Sequence, residues 1–183
     1  NDEFFNPYNS YEADLIESLK KLPKEKFDEL TKILKAKDVF ADKTLSEKMK
    51  GKINVVYSGT LLNNDSVSLS DQKATRKSEI DNLRAIKILV ENENPLEKEK
   101  VQIIYKGHPR DKTAEAIKEA FKQTIIENNI TDIAVPNILV VDPAIPYDLY
   151  LVSGLFDSNP AFDKVVKLYS SYSTIIWFLF ADG

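Results

Sequence analysis

The stretch that decides the fold runs from residue 101 to residue 112, VQIIYKGHPRDK. Val101, Ile103, Ile104 and Tyr105 make a nearly continuous apolar run. Such a run suits a strand buried on both faces of a parallel sheet. Gly107 and Pro109 then stop it, and Lys106, His108 and Arg110 are set among them. His108 is the only histidine of the chain. A single imidazole therefore stands at a strand end, in a loop of Gly, Pro and cations.

Working outward, three more apolar runs have the same character: INVVY (53–57), NILVV (137–141) and VVKLY (165–169). Between them lie two stretches with helical spacing. Residues 71–91 present Ile80, Leu83, Ile86 and Val90, and residues 112–128 present Ala114, Ile117, Phe121 and Ile125. Apolar residues three and four apart share one helix face. After Asp142, IPYDLYLVSG suits a shorter helix ending at Gly154. Alternating strands and helices imply right-handed crossovers and a doubly wound parallel α/β sheet.

The first fifty residues read instead as helices. Leu15, Ile16, Leu19 and Leu22 fall on one face behind an Asn9–Glu12 capping signal, and Pro23 ends that run. Phe27, Leu30, Ile33 and Leu34 resume it, and Thr44 with Glu47 opens a short third helix. The predicted organisation is a helical lead-in over 1–50 and one α/β domain over 51–183.

Composition narrows the function classes. A net charge of −4 and a pI of about 5.2 argue against nucleic acid as a partner. The chain has no cysteine, so disulfides, thiolate metal sites and a Cys nucleophile are excluded. The most apolar piece, IIWFLF at 175–180, is far too short to span a membrane. No signal peptide is visible and the first residue is Asn1, which suggests a processed or excised piece. No internal repeat is visible.

Ligands of open α/β sheets bind outside the carboxyl ends of the strands. Four tips are expected there: Ser58-Gly59-Thr60, Lys106-Gly107-His108-Pro109-Arg110, Asp142-Pro143 and Ser170-Ser171. Small residues, hydroxyls, two cations and one imidazole suit a phosphate ester. Glycine lets backbone come close to a ligand, and the free N–H groups at a helix start accept phosphate. Plainer roles exist for each. Gly59 serves as a turn residue, Ser170 and Ser171 serve as a helix cap, and Lys118, Glu119 and Lys122 form a solvated face. The chain carries no P-loop, no G-x-G-x-x-G, no G-x-S-x-G, and no second His for a metal site.

Four blocks, in order, carry a resemblance. YSGT at 57–60 is similar to a strand end, IIYKGHPRDK at 103–112 to a KGHP segment, IPYDLYLVSGL at 145–155 to an acidic helix followed by a turn, and LYSSYS at 168–173 to a double-serine helix start. In this order they resemble the bacterial sialyltransferases of glycosyltransferase family 80, spanning roughly residues 53–175. Related sialyltransferase and polysialyltransferase families share the HP and double-serine motifs.

The resemblance implies the C-terminal, nucleotide-binding half of a GT-B-type enzyme with a Rossmann-like sheet. Such enzymes move sialic acid from CMP-sialic acid to a sugar hydroxyl, inverting and without a metal or other cofactor. His108 would face the CMP phosphate as the acid assisting its departure. Lys106, Gly107 and Pro109 would line the cytidine pocket. Asp148 would hold the nucleotide where the family usually has Glu. Ser170 and Ser171 would bind phosphate oxygens, and Ser58, Gly59 and Thr60 would line the donor cleft.

The family's general base, in a DDGS-like motif of an N-terminal domain, has no counterpart here. This chain alone would bind donor without completing transfer, and its last strands and helices would be missing. Its partners would be the donor, a glycan acceptor and the base-carrying domain. Its place would be the bacterial cytoplasm, free or held at the inner membrane. The alternatives are a non-catalytic nucleotide- or anion-binding module, a phosphosugar isomerase, a transferase using another nucleotide sugar, and a structural module with IIWFLF as its interaction surface.

Overall fold

The structure is a computed structural model, and it describes residues 21–33, 47–145 and 165–170. Its elements are α1 (Lys24–Ile33), β1 (Ile53–Ser58), α2 (Leu69–Glu93), β2 (Val101–Lys106), α3 (Ala114–Glu127), β3 (Ile138–Val140) and β4 (Val165–Ser170). Short 3-10 turns cover Lys98–Lys100, Pro109–Asp111 and Val135–Asn137. The predicted IPYDLYLVSG helix lies outside the described residues apart from Ile145. So do IIWFLF, the helix before Pro23 and the Thr44 cap. Residues 47–49 are helical, as expected for the third helix.

The four strands form one sheet in the order β3-β2-β1-β4, and every pairing is parallel. This is an α/β fold. The strand order reverses at β1, with β2 on one side and β4 on the other. All six residues of β1 are buried, as are the last four of β2. That explains why these strands read as nearly continuous apolar runs and not as alternating ones.

One face of the sheet packs on α2 and α3. Tyr57, Ile103 and Tyr105 from the strands meet Ile80 and Leu83 from α2 and Ile117 and Phe121 from α3 in one buried cluster. Tyr105 stacks on Tyr57 with ring centroids 5.7 Å apart and takes the edge of Phe121 at 4.8 Å. Val56 and Ile104, pointing the other way, are buried as well.

The helix ends follow from capping chemistry. Ser68 accepts from the N–H of Asp71 at 3.1 Å, so α2 begins at Leu69, two residues before the predicted start. Thr113 accepts from the N–H of Ala116 at 3.1 Å and opens α3 at Ala114, two residues later than predicted. β3 is trimmed to Ile138–Val140, because Val135–Asn137 forms a 3-10 turn behind Pro136. No described helix is long and apolar enough to cross a membrane.

Candidate functional site

Parallel pairing brings the strand ends to one edge. Ser58 stands opposite Lys106 in β2 and opposite Ser170 in β4. The Gly59 N–H donates to the Lys106 carbonyl at 2.8 Å, and the Val141 N–H donates to the Tyr105 carbonyl at 3.1 Å. Four of the expected tips thus share a rim. Asp148 and Ser171 lie outside the described residues, and Ser170 is placed here by its backbone register alone.

Two tip residues sit differently from the expectation. Ser58 and Lys106 are the last residues of their strands and not loop residues. Side chains alternate along a strand. Ser58 and Lys106 therefore project from the face opposite Tyr57 and Tyr105. Both are buried, and the Lys106 ammonium donates to the Gly107 carbonyl at 2.7 Å. The cation expected to line the cytidine pocket is thus tucked against its own loop.

His108 caps the short turn Pro109–Asp111, with Pro109 at its first position. The Arg110 N–H donates to the His108 Nδ1 at 3.1 Å. Since Nδ1 accepts, the neutral ring carries its proton on Nε2. Burial holds this imidazole below its ordinary value of 6.5. The negative charge of Asp111 pulls upward, whereas the positive charges of Lys106 and Arg110 push further down. The resting ring is therefore neutral at pH 7. It can donate one hydrogen bond from Nε2, and a nearby anion would raise its affinity for a second proton.

The glycines have internal reasons. A Cβ on Gly59 would come within 2.0 Å of the Tyr105 hydroxyl, so the turn runs against that ring. A Cβ on Gly107 would meet the end of Ile117 at 2.3 Å. Close approach of a ligand is not needed to explain either residue. Gly59→Ala is expected to cost about 1–3 kcal/mol through overpacking, read as a lower urea midpoint. An unchanged midpoint would mean that the turn is not seated on Tyr105.

Two buried carboxylates, neither anticipated, hold the rim together. Glu79 on α2 is 2% exposed and accepts from Tyr105 at 2.8 Å, Tyr57 at 3.0 Å and the Thr60 N–H at 3.3 Å. Asn82 donates to the Tyr57 hydroxyl at 3.2 Å. Burial pushes the Glu79 carboxyl up, and these hydrogen bonds hold it back. Burial likewise raises both tyrosines, with the Glu79 charge adding to it.

Asp111 accepts from the N–H groups of Leu62 at 3.0 Å and Asn63 at 2.9 Å, and from the Asn63 amide at 3.0 Å. Arg76 on α2 donates to the Leu62 carbonyl at 3.2 Å and the Asn63 side-chain oxygen at 2.8 Å.

An open hollow of about 560 Å3 lies beside this clamp, with Asn63, Asp65, Arg110, Asp111 and Lys112 among its walls. His108 is not among the lining side chains. Two acids balance two bases in these walls, so the hollow lacks the positive excess of a phosphate cradle. This hollow is therefore not the place where His108 is expected to face a phosphate. The polar rim is the separate line of Lys106, Ser58 and Ser170.

Among the described residues no group of three or more His, Asp or Glu side chains could hold a metal ion. Comparison of the chain with protein-family models, curated proteins and solved structures returned no match.

Proposed function

We propose that this chain is the donor-binding domain of a sialyltransferase, taking CMP-sialic acid at the carboxyl edge of a Rossmann-like, doubly wound sheet. The observation that carries it is the alignment of Lys106, Ser58 and Ser170 on three adjacent parallel strands, at the point where strand order reverses. Nucleotide ligands favour that position in open α/β sheets. The ordered sequence blocks around YSGT, KGHP, IPYD and LYSS support the choice of donor.

In this scheme the bond between sialic acid and the CMP phosphate breaks, and its electron pair stays on the phosphate oxygen. The His108 Nε2–H donates to that phosphate. The approaching anion raises the imidazole toward the protonated state, so the acid forms on binding. Ser170 and Ser171 supply further donors while Gly59 and Thr60 line the cleft, and preorganised donors of this type often dominate such catalysis. Asp148 holds the nucleotide. The acceptor hydroxyl attacks the opposite face, and a base outside this chain's motifs takes its proton.

A thermal-shift panel with CMP, UDP, GDP and NAD tests the proposal. CMP is expected to stabilise the chain, by roughly 2.7 kcal/mol at a hundredfold excess over Kd. Stabilisation by UDP or NAD in preference to CMP would move the chain to another class. A second reading has its own support. His108 is neutral at rest and both glycines are explained by packing. Those features favour a nucleotide-binding module without turnover, which would bind CMP and leave CMP-sialic acid intact in the presence of acceptor.

A further inference from the structure

We propose that Asp111 is the positioning residue of the rim, joining the loop that carries His108 to the loop that follows β1 so that the two move as one body. The geometry is specific. The Asp111 carboxylate is 2% exposed and takes three N–H donors, all from Leu62 and Asn63, which lie 49 and 48 residues away in sequence. Its own N–H donates to the His108 carbonyl at 2.9 Å, and its carbonyl accepts from the Thr113 N–H at 2.8 Å.

One residue thus ties the imidazole's backbone, the start of α3 and the β1 loop. Arg76 braces the far side of that loop from α2. Charged hydrogen bonds to backbone N–H groups are about twice as strong as neutral ones, so the joint is stiff. Asp111 is also the negative charge that acts on His108, against Lys106 and Arg110.

Asn cannot replace it. If the amide oxygen keeps both Asn63 donors, the NH2 faces the Leu62 N–H and leaves a buried donor unsatisfied. Removing the charge also removes the upward pull on the imidazole. Both effects are readable, because the ring signals of the only histidine in the chain are unambiguous.

The experiment is an NMR pH titration of the full chain. In Asp111→Asn, His108 is expected to titrate at lower pH than in the wild type, and the Leu62 and Asn63 amide signals shift together with it. Asn63→Ala, which leaves the carboxylate in place, is expected to move the His108 ring and Arg110 signals from the other side of the joint. This second variant decides the matter if Asp111→Asn does not fold. An unmoved His108 signal in Asn63→Ala, or the same His108 titration in Asp111→Asn as in wild type, overturns the proposal.

The consequence for ligand rests on the donor proposal above. CMP is expected to bind Asp111→Asn about tenfold more weakly. If CMP binds neither protein while the coupled shifts occur, the donor proposal fails and the joint stands. If CMP binds both equally, Asp111 does not position the rim for ligand.

Discussion

Glu79→Ala is expected to lower the stability of the chain by about 3 kcal/mol or more. Glu79 sits under both tyrosines of the central strands and under the Thr60 N–H. Alanine removes all three acceptor contacts at once. The Tyr57 hydroxyl keeps Asn82, but the fully buried Tyr105 hydroxyl loses the carboxylate it donates to. A cavity the size of the lost side chain adds to that cost.

Glu79→Gln keeps the volume and one acceptor, so it is expected to cost less. It also carries a pH signature. The folded state holds the Glu79 proton more tightly than the unfolded chain, whose ordinary value is 4.5. Stability from that proton is present below 4.5 and is lost as pH rises through the raised folded value. Glu79→Gln lacks this slope. Urea midpoints across that range check both points. A loss below about 1 kcal/mol for the alanine variant would mean that the tyrosines find other partners.

The second large effect concerns turnover. In the assembled transferase that the donor proposal implies, His108→Ala is expected to lower the transfer rate by about a hundredfold or more, the usual contribution of an acid catalyst. His108→Gln should recover little, because it offers a hydrogen bond but no transferable proton. The Nδ1 contact with the Arg110 N–H leaves Nε2 as the nitrogen that can donate. Transfer of sialic acid at an unchanged rate in His108→Ala removes the imidazole from the mechanism. A large fall in CMP affinity with an unchanged rate constant would make it a binding group only.

The strands were legible because β1 and β2 are largely buried on both faces, which leaves apolar runs interrupted only by Asn54 and Gln102. The α2 and α3 stripes were legible for the opposite reason, since one face of each is solvated. Ile80, Leu83, Ile117 and Phe121 are fully buried, as their spacing predicts.

The buried carboxylates were not legible. On a helix rich in charge, Glu79 looks like one more solvated residue. Yet it precedes Leu83 by four and Ile86 by seven, so it lies on the apolar stripe. Tyr57 and Tyr105, paired in register, each bring a hydroxyl that must find a partner there. That combination was the available signal. Asp111 had none, because its partners Leu62 and Asn63 come from a distant loop whose path only the fold determines.

The Lys106 and Ser58 positions were misread by a single residue. Each strand runs one step further than its apolar run, and one step changes the face on which a side chain lies. The Ser58 and Lys106 side chains therefore lie on the face opposite the tyrosines, and not in a loop above the sheet.

The central claim is that a nucleotide phosphate arrives within reach of the sole imidazole, and titrating CMP into the full chain while following the His108 ring signals by NMR tests it most directly. The account predicts saturable movement of those signals and titration of the ring at higher pH when CMP is bound. Ring signals that stay fixed, at CMP concentrations that stabilise the chain, would contradict it.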